Sequence, residues 1–386
     1  MSVDEGLLRE LTPRVIGVLV RRGADFAAAE DAVQEALLRA WTTWPGPAGA
    51  PRDPLAWLVT TAWRCHLDAV RSAAARRGRE VRVDAEPAPG PGVAVDDTLR
   101  LYFLCAHPAL SPAAAQALTL RAVGGLTTRQ IADAFLVPES TMAQRISRAK
   151  RAVAGVDLDR PGRLPTVLRV LYLVFNAGYS GDVDLSAEAI RLTRQLVRLT
   201  DDAEAAGLLA LMLLHQARRV ARTRADGALV PLAEQDRSRW DTALIAEGVD
   251  VLQTALARDR LGEYQAQAAI AALHADARSV GETDWVQVVE WYDELLRLTG
   301  SPVVQLNRAV AVGEADGPRA GLAALAAVPA DVPRRDAAAA HLHEADGDLA
   351  TAAGLYAAAA QAAPNLAERD HLTRQAARLH QALRER

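Results

Sequence analysis

The chain has 386 residues and a formal net charge of −4, so it is too long for one compact core and shows no overall basic signal for nucleic acid. Hydrophobic residues make up 50% and charged residues 24%, an ordinary globular balance, and no run of about 18 apolar residues is present to span a membrane. The 2 cysteines, Cys65 and Cys105, exclude a disulfide scaffold; with no C-x-x-C pair or Cys/His cluster beside them, they read as reduced buried thiols and no metal or other cofactor is expected. The first residues, MSVDEGLLRELTPRV, carry early acids and no apolar signal core, so a cytoplasmic protein is expected.

The pattern predicts an all-α fold. No period-2 strand segment stands out, and β-branched runs are short. The first informative element is EDAVQEALLRAW at 30–41, an amphipathic helix. Its apolar stripe reads as Val33, Leu37, Ala40, Trp41 and Trp44, with Asp31, Gln34, Glu35, Leu38 and Arg39 mostly outside it. A Pro/Gly-rich loop over 45–54 follows. Asp53 can then cap, and Pro54 can start, the helix PLAWLVTTAWRCHLDAVR. That helix ends in a basic cluster: between Arg64 and Arg82 there are 6 arginines, Arg71, Arg76 and Arg77 among them, against Asp68 and Glu80.

Segment 83–92, VDAEPAPGPG, is too poor in apolar groups to pack and reads as a linker. Segment 126–151, LTTRQIADAFLVPESTMAQRISRAKR, reads as a helix-turn-helix. Thr127 and Gln130 have capping-box spacing, Leu126 and Ile131 staple positions, and Pro138 suits the first position of the second helix. In that helix Met142, Ile146, Ala149 and Val153 form the buried stripe. Thr141, Gln144, Arg145, Arg148 and Arg151 lie opposite, a face that can enter a major groove with arginines for guanine edges or phosphates and Gln144 for adenine. Two basic helices in an acidic chain point to two separate contacts with a polyanion.

Segment 157–165 separates this unit from the rest. Beyond it, Glu-Ala-Asp-Gly occurs at 314–317 and 344–347 between alanine-rich helices, and Ala352, Tyr356, Ala359 and Pro364 follow the small–aromatic–small–Pro spacing of a tetratricopeptide helix pair. An irregular α-solenoid is expected. The predicted organisation is 1–80, a flexible linker at 81–96, 97–155, and an extension over 156–386. No P-loop, nucleophile elbow or H-E-x-x-H motif marks an enzyme. His341-x-His343, a weak metal pair on paper, reads as two surface histidines.

Together these residues resemble the extracytoplasmic-function sigma factors of bacterial RNA polymerase. Helix 30–41 is similar to the family's region 2 helix that docks on the core polymerase clamp, which implies polymerase contacts for Asp31, Gln34, Glu35, Leu38 and Arg39. PLAWLVTTAWRCHLDAVR resembles the next helix, which helps melt and read the minus-ten element. This implies DNA contacts for Trp63, Arg64, Arg71, Arg76 and Arg77, although Trp63-Arg64 stands where the family often has Arg-Asn. Segment 126–151 resembles region 4, which reads the minus-thirty-five element beside the polymerase flap. YLVFNAGYSG at 172–181, LAEQDRSRWD at 232–241 and SPVVQLNRAVAV at 301–312 are similar to a subgroup with tetratricopeptide-like C-terminal helices. The resemblance implies no enzymatic activity, with core RNA polymerase and promoter DNA as partners and no membrane. The extension is expected to modulate activity, by docking on the protein's own sigma regions through apolar segment 165–181 or by binding a regulatory protein. The other reading of the same residues is a helix-turn-helix regulator with a helical sensing domain.

Overall fold

The computed structural model describes residues 5–45, 49–76, 97–154, 156, 163–180, 183–224, 230–363 and 366–385. The predicted linker 81–96, the junction 157–162 and Arg77 lie outside them. The fold is all-α, in two compact units covering residues 1–200 and 201–386. No helix among the described residues is long and apolar enough to cross a membrane.

The first unit begins with α1 (Glu5–Arg21), α2 (Phe26–Thr43) and α3 (Pro54–Arg76), three mutually packed helices. Asp25 caps α2 by accepting from the Ala28 N–H at 3.0 Å, and Asp53 caps α3 by accepting from the Ala56 N–H at 2.9 Å. Val15, Ile16, Leu19, Val33, Ala36, Leu58 and Ala62 are fully or almost fully buried between them. Next come α4 (Thr98–Cys105), α5 (Pro112–Ala122), α6 (Thr128–Ala134) and α7 (Glu139–Ala152), around Leu101, Leu118, Leu120, Leu126, Ile131 and Met142. The unit closes with α8 (Leu164–Ala177), a two-residue antiparallel pair of β1 (Tyr179–Ser180) and β2 (Val183–Asp184), and α9 (Leu185–Thr200). This pair is too short to leave the alternation by which a strand is read from sequence.

Helix α8 carries Val167, Leu168, Val170, Leu171 and Val174 into contact with α4, α5 and α9. The Tyr102 hydroxyl donates to the Leu192 carbonyl at 2.9 Å and so ties α4 to α9; burial pushes this phenol up from its ordinary range. The Gly124–Gly125 turn lets the chain pass between neighbours. A Cβ on Gly124 would sit 2.6 Å from the Leu120 carbonyl oxygen, and Gly125 has a φ of +71° with Arg9 Cα close by.

The second unit contains α10 (Ala203–Ala217), α11 (Thr242–Leu256), α12 (Glu263–Asp276), α13 (Trp285–Thr299), α14 (Pro302–Asp316), α15 (Pro318–Leu325), α16 (Arg335–Ala345), α17 (Leu349–Ala362) and α18 (Leu366–Arg384). Most helices pack mainly on those just before and after them, while α12 packs chiefly on α10, two places back, close to the nearest-neighbour plan of a helical repeat array. Aspartates cap the series: Asp202, Asp241, Asp284 and Asp348 accept from first-turn N–H groups of α10, α11, α13 and α17. The two Glu-Ala-Asp-Gly segments occupy equivalent places. Each ends a helix, and its glycine takes positive φ, +95° at Gly317 and +86° at Gly347. Ala352, Tyr356 and Ala359 are buried together in the final helix pair, while Pro364 lies outside the described residues. His341 bonds to Glu314 at 2.9 Å across the repeat, and His343 faces Asp348 at 3.6 Å.

Candidate polymerase and nucleic-acid interfaces

Helix α2 buries Ala29, Val33, Ala36, Ala40 and Trp44 against the bundle. The spacing of these residues follows one helical stripe. Asp31, Glu35, Leu38 and Arg39 are exposed and Gln34 is half-buried, so the expected polymerase-facing residues share one accessible side. Glu35 and Arg39 pair along the helix at 3.2 Å. The expected stripe is corrected at one place: Trp41 is 52% exposed, not buried. Trp44, one turn closer to α3, takes the core position instead, its ring edge-on to Trp57 with centroids 5.5 Å apart. Trp41 and Leu38 then border an open groove of about 460 Å³ with Leu8, Gln34, Leu37 and Thr127. An apolar rim of this kind on a polar surface is suited to a protein partner.

On α3 the expected DNA residues separate. Arg64 and Arg71 are exposed, Arg71 with a loose contact to Asp68 at 3.5 Å. Arg76 closes the helix. Trp63 is corrected: it is 8% exposed, packed on His66 with ring centroids 5.3 Å apart and lying beneath the Arg22 guanidinium. Its indole is a core side chain that holds α3 to the bundle, because its position falls on the buried Leu58–Ala62 stripe. Burial pushes the His66 imidazole down, with Asp25 opposing.

The helix-turn-helix forms from the signals that predicted it. The Thr127 hydroxyl accepts from the Gln130 N–H at 3.1 Å, and the Gln130 side chain accepts from the Thr127 N–H at 2.9 Å. The turn is less regular. The N–H of Leu136 reaches Asp133 O at 3.2 Å and that of Val137 reaches Ala132 O at 3.0 Å, a Schellman closure in which Leu136 stands at φ +53° where glycine is usual. Pro138 sits at the N-cap of α7, one place before its expected position. Met142, Ile146, Ala149 and Val153 are all buried at 4% or less, and Thr141, Gln144, Arg148 and Arg151 are exposed with Arg145 half-buried beside them.

The two working helices are joined by a cluster that the sequence reading does not contain. Glu30, in the first turns of α2, is fully buried between two cations of the helix-turn-helix unit. Arg121 Nε lies 2.8 Å from Glu30 Oε1, and Lys150 Nζ contacts the other oxygen. Lys150, the only lysine in the chain, also donates to Asp31 Oδ1 at 2.7 Å. Arg121 donates in addition to the Leu126 carbonyl at 3.1 Å. These are charge contacts rather than well-aligned hydrogen bonds at Glu30, whose oxygens lack good hydrogen-bond geometry. A second link joins Arg21 of α1 to the buried Asp97 before α4. Charge spacing within one helix cannot reveal pairs 91 or 120 residues apart; the one hint was a single lysine in a chain otherwise served by arginine.

Comparison with known proteins agrees with this geometry. Residues 7–76 match the sigma-70 region 2 model and 100–153 the sigma-70 region 4 model, while 163–256 match a family of unknown function, DUF6596. The chain is 43% identical over 342 residues to the uncharacterized protein R00370 of Rhizobium meliloti, covering 81% of this chain and 79% of that one. It is 32% identical over 146 residues to the ECF RNA polymerase sigma factor SigK of Mycobacterium bovis, covering 36% of this chain and 78% of SigK. It is 30% identical over 201 residues to the probable ECF RNA polymerase sigma factor SigI of Mycobacterium tuberculosis, covering 44% of this chain and 66% of SigI. No solved structure matches the chain. The protein belongs to the extracytoplasmic-function RNA polymerase sigma factors, and its function is to direct transcription initiation.

Proposed function

We propose that the two exposed faces divide the work of initiation. The α2 face of Asp31, Gln34, Glu35, Leu38 and Arg39 docks on the core polymerase clamp. Arg64, Arg71 and Arg76 of α3, with Arg77 beyond it, hold the minus-ten region. Thr141, Gln144, Arg145, Arg148 and Arg151 of α7 read the minus-thirty-five region, with the flap nearby. The observation that carries this reading is that α2 exposes Leu38 and Trp41 among polar groups, whereas the outer face of α7 is polar and cationic. The first suits a protein surface and the second a phosphate backbone and base edges.

The helices beyond region 4 modulate this activity. Support comes from two facts: SigK aligns with 36% of this chain, whereas R00370 aligns with 81%; and α8 packs directly on α4 and α5. Run-off transcription with core enzyme tests both parts. Glu35→Arg should weaken core binding and lower transcript yield while promoter DNA binding persists. A chain ending at Thr200 should change promoter-dependent yield without losing core binding. Unchanged core affinity in Glu35→Arg removes the clamp assignment, and equal yield from both chain lengths removes the modulating role.

A further inference from the structure

In the second unit a cluster of cations gathers where α10 and α12 end. Arg218 is the C-cap of α10, Arg222 follows the 3-10 turn Arg219–Ala221, and Arg237 opens the 3-10 turn Arg237–Arg239. The two turns pack together, and the Asp241 N–H donates to Ala217 O at 2.9 Å, which folds the 232–241 segment back onto the end of α10. Arg218 feels Arg222, Arg237 and the Tyr292 phenol; His274 feels Arg218 and Arg237; His215 feels Arg218 and Arg222. Two half-buried guanidiniums, the exposed Arg222 beside them and two imidazoles therefore share one corner.

Part of this arrangement is explained by the fold. Arg237 donates through Nη1 to the carbonyls of His274 and Ala277, the latter at 2.6 Å, and so caps the end of α12. Its guanidinium lies over Trp240, 4.7 Å from the ring centroid. What remains is unexplained by packing. Arg237 Nη2 is buried and has no hydrogen-bond partner among the described residues. No hydrogen bond or ion pair among the described residues engages the Arg218 side chain. The nearby acids are committed elsewhere: Asp236 accepts from Ser238, Asp241 caps α11, and Glu282, which Arg237 feels, is held by Arg278 at 2.9 Å. Burial, reinforced by Arg222 and Arg237, pushes Arg218 down to about 10. Burial likewise pushes His215 to about 3 and His274 to about 4, so both rings are neutral near pH 7.

Like charges gathered at a half-buried corner whose nearby acids are engaged by other groups are costly, and the guanidinium fork matches tetrahedral and planar oxyanions. We propose that Arg218, Arg222 and Arg237, with His274 and Tyr292 beside them, form a binding site for a phosphate group in the C-terminal unit. Three neighbouring positive charges favour a dianion over a single carboxylate, and a phosphate offers enough oxygens for several forks at once. The group arrives either as free phosphate or on a nucleotide. The site gives the extension a small-molecule input distinct from the polymerase and DNA faces.

The test is thermal unfolding of the full chain in potassium phosphate against potassium chloride at matched ionic strength, with ATP as a second arm. Phosphate should raise Tm by a few degrees, with a rise that follows the logarithm of ligand concentration. Arg218→Met should lose this shift while remaining at least as stable in chloride, because a buried like charge is gone. Arg222→Met, at an exposed position, should also lose most of it and guards against misfolding of the first variant. A shift from ATP at much lower concentration than from phosphate identifies a nucleotide; equal potency identifies the free ion. An equal shift in wild type and both variants is a general salt effect and overturns the site, as does no shift beyond chloride in either arm.

Discussion

Helices α2 and α7 are built alike and finished differently. Each buries one stripe, Val33–Ala36–Ala40 in one and Met142–Ile146–Ala149 in the other, and turns the opposite side outward. On α2 that side keeps Leu38 at 64% and Trp41 at 52% exposure; on α7 it keeps arginines, a glutamine and a threonine. Exposed large apolar groups are costly in water and pay only when a protein covers them, whereas a charged face costs nothing in solvent and gains from counterion release on DNA. On the proposed division of roles the same secondary structure serves two classes of partner, and the difference lies on the outer face. The inner ends of the two helices meet at Glu30, which belongs to neither working face.

Glu30→Ala should have the largest effect. It removes the buried anion between Arg121 and Lys150, leaving them only Leu126 O and the exposed Asp31 among the described residues, and removal of one member of a buried pair typically costs about 3–5 kcal/mol. Urea denaturation followed by circular dichroism should show a clear fall in midpoint; an unchanged midpoint means the cluster is not closed in solution. The double substitution Leu38→Ser, Trp41→Ser should leave stability nearly unaltered and weaken core polymerase binding by about 2 kcal/mol or more, the scale of an aromatic hot spot. Fluorescence anisotropy with core enzyme measures it. Loss of promoter-fragment binding without loss of core binding reverses the assignment of the two faces.

Arg145→Ala and Arg148→Ala sharpen the other side. A lost bidentate base contact should cost about 1–3 kcal/mol and relax specificity at one position, while a lost phosphate contact mainly lowers the salt slope. Promoter titrations at two salt concentrations separate these outcomes, and unchanged binding in both variants identifies the wrong face of α7. The smallest effect is expected at the turn. Leu136 is 81% exposed and held at φ +53°, so Leu136→Gly relieves the left-handed backbone with little packing lost. Glycine's greater unfolded-state freedom offsets part of the gain, leaving about 0.5–1 kcal/mol of stabilisation. A lower Tm for this variant shows that the Leu136 side chain contributes contacts that outweigh the strain.

The helix-turn-helix was legible because its signals are local. Thr127 and Gln130 are three residues apart, and the stripe from Met142 to Val153 repeats within one helix, so each can be read without knowing what lies across the fold. The α2 polar face was legible for the same reason. The tryptophans were not. Trp41, Trp44 and Trp63 are chemically alike, yet Trp44 falls on the buried stripe of α2 and Trp63 on that of α3, whereas Trp41 stands beside the stripe and is left 52% exposed. Trp63 read as a DNA contact by family position and lies in the core instead.

By itself, then, the sequence determined the helical class, the caps, the buried stripe of α7 and the residue types of both working faces, since these follow from short-range periodicity and backbone hydrogen bonding. Only the tertiary structure decided that Glu30 is enclosed by Arg121 and Lys150, that Tyr102 bonds to α9, and that Arg218 and Arg237 come near one another. Those outcomes depend on which distant side chains share a low-dielectric space. Pair energies there change steeply with separation and burial, and neither quantity is encoded in the distance along the chain.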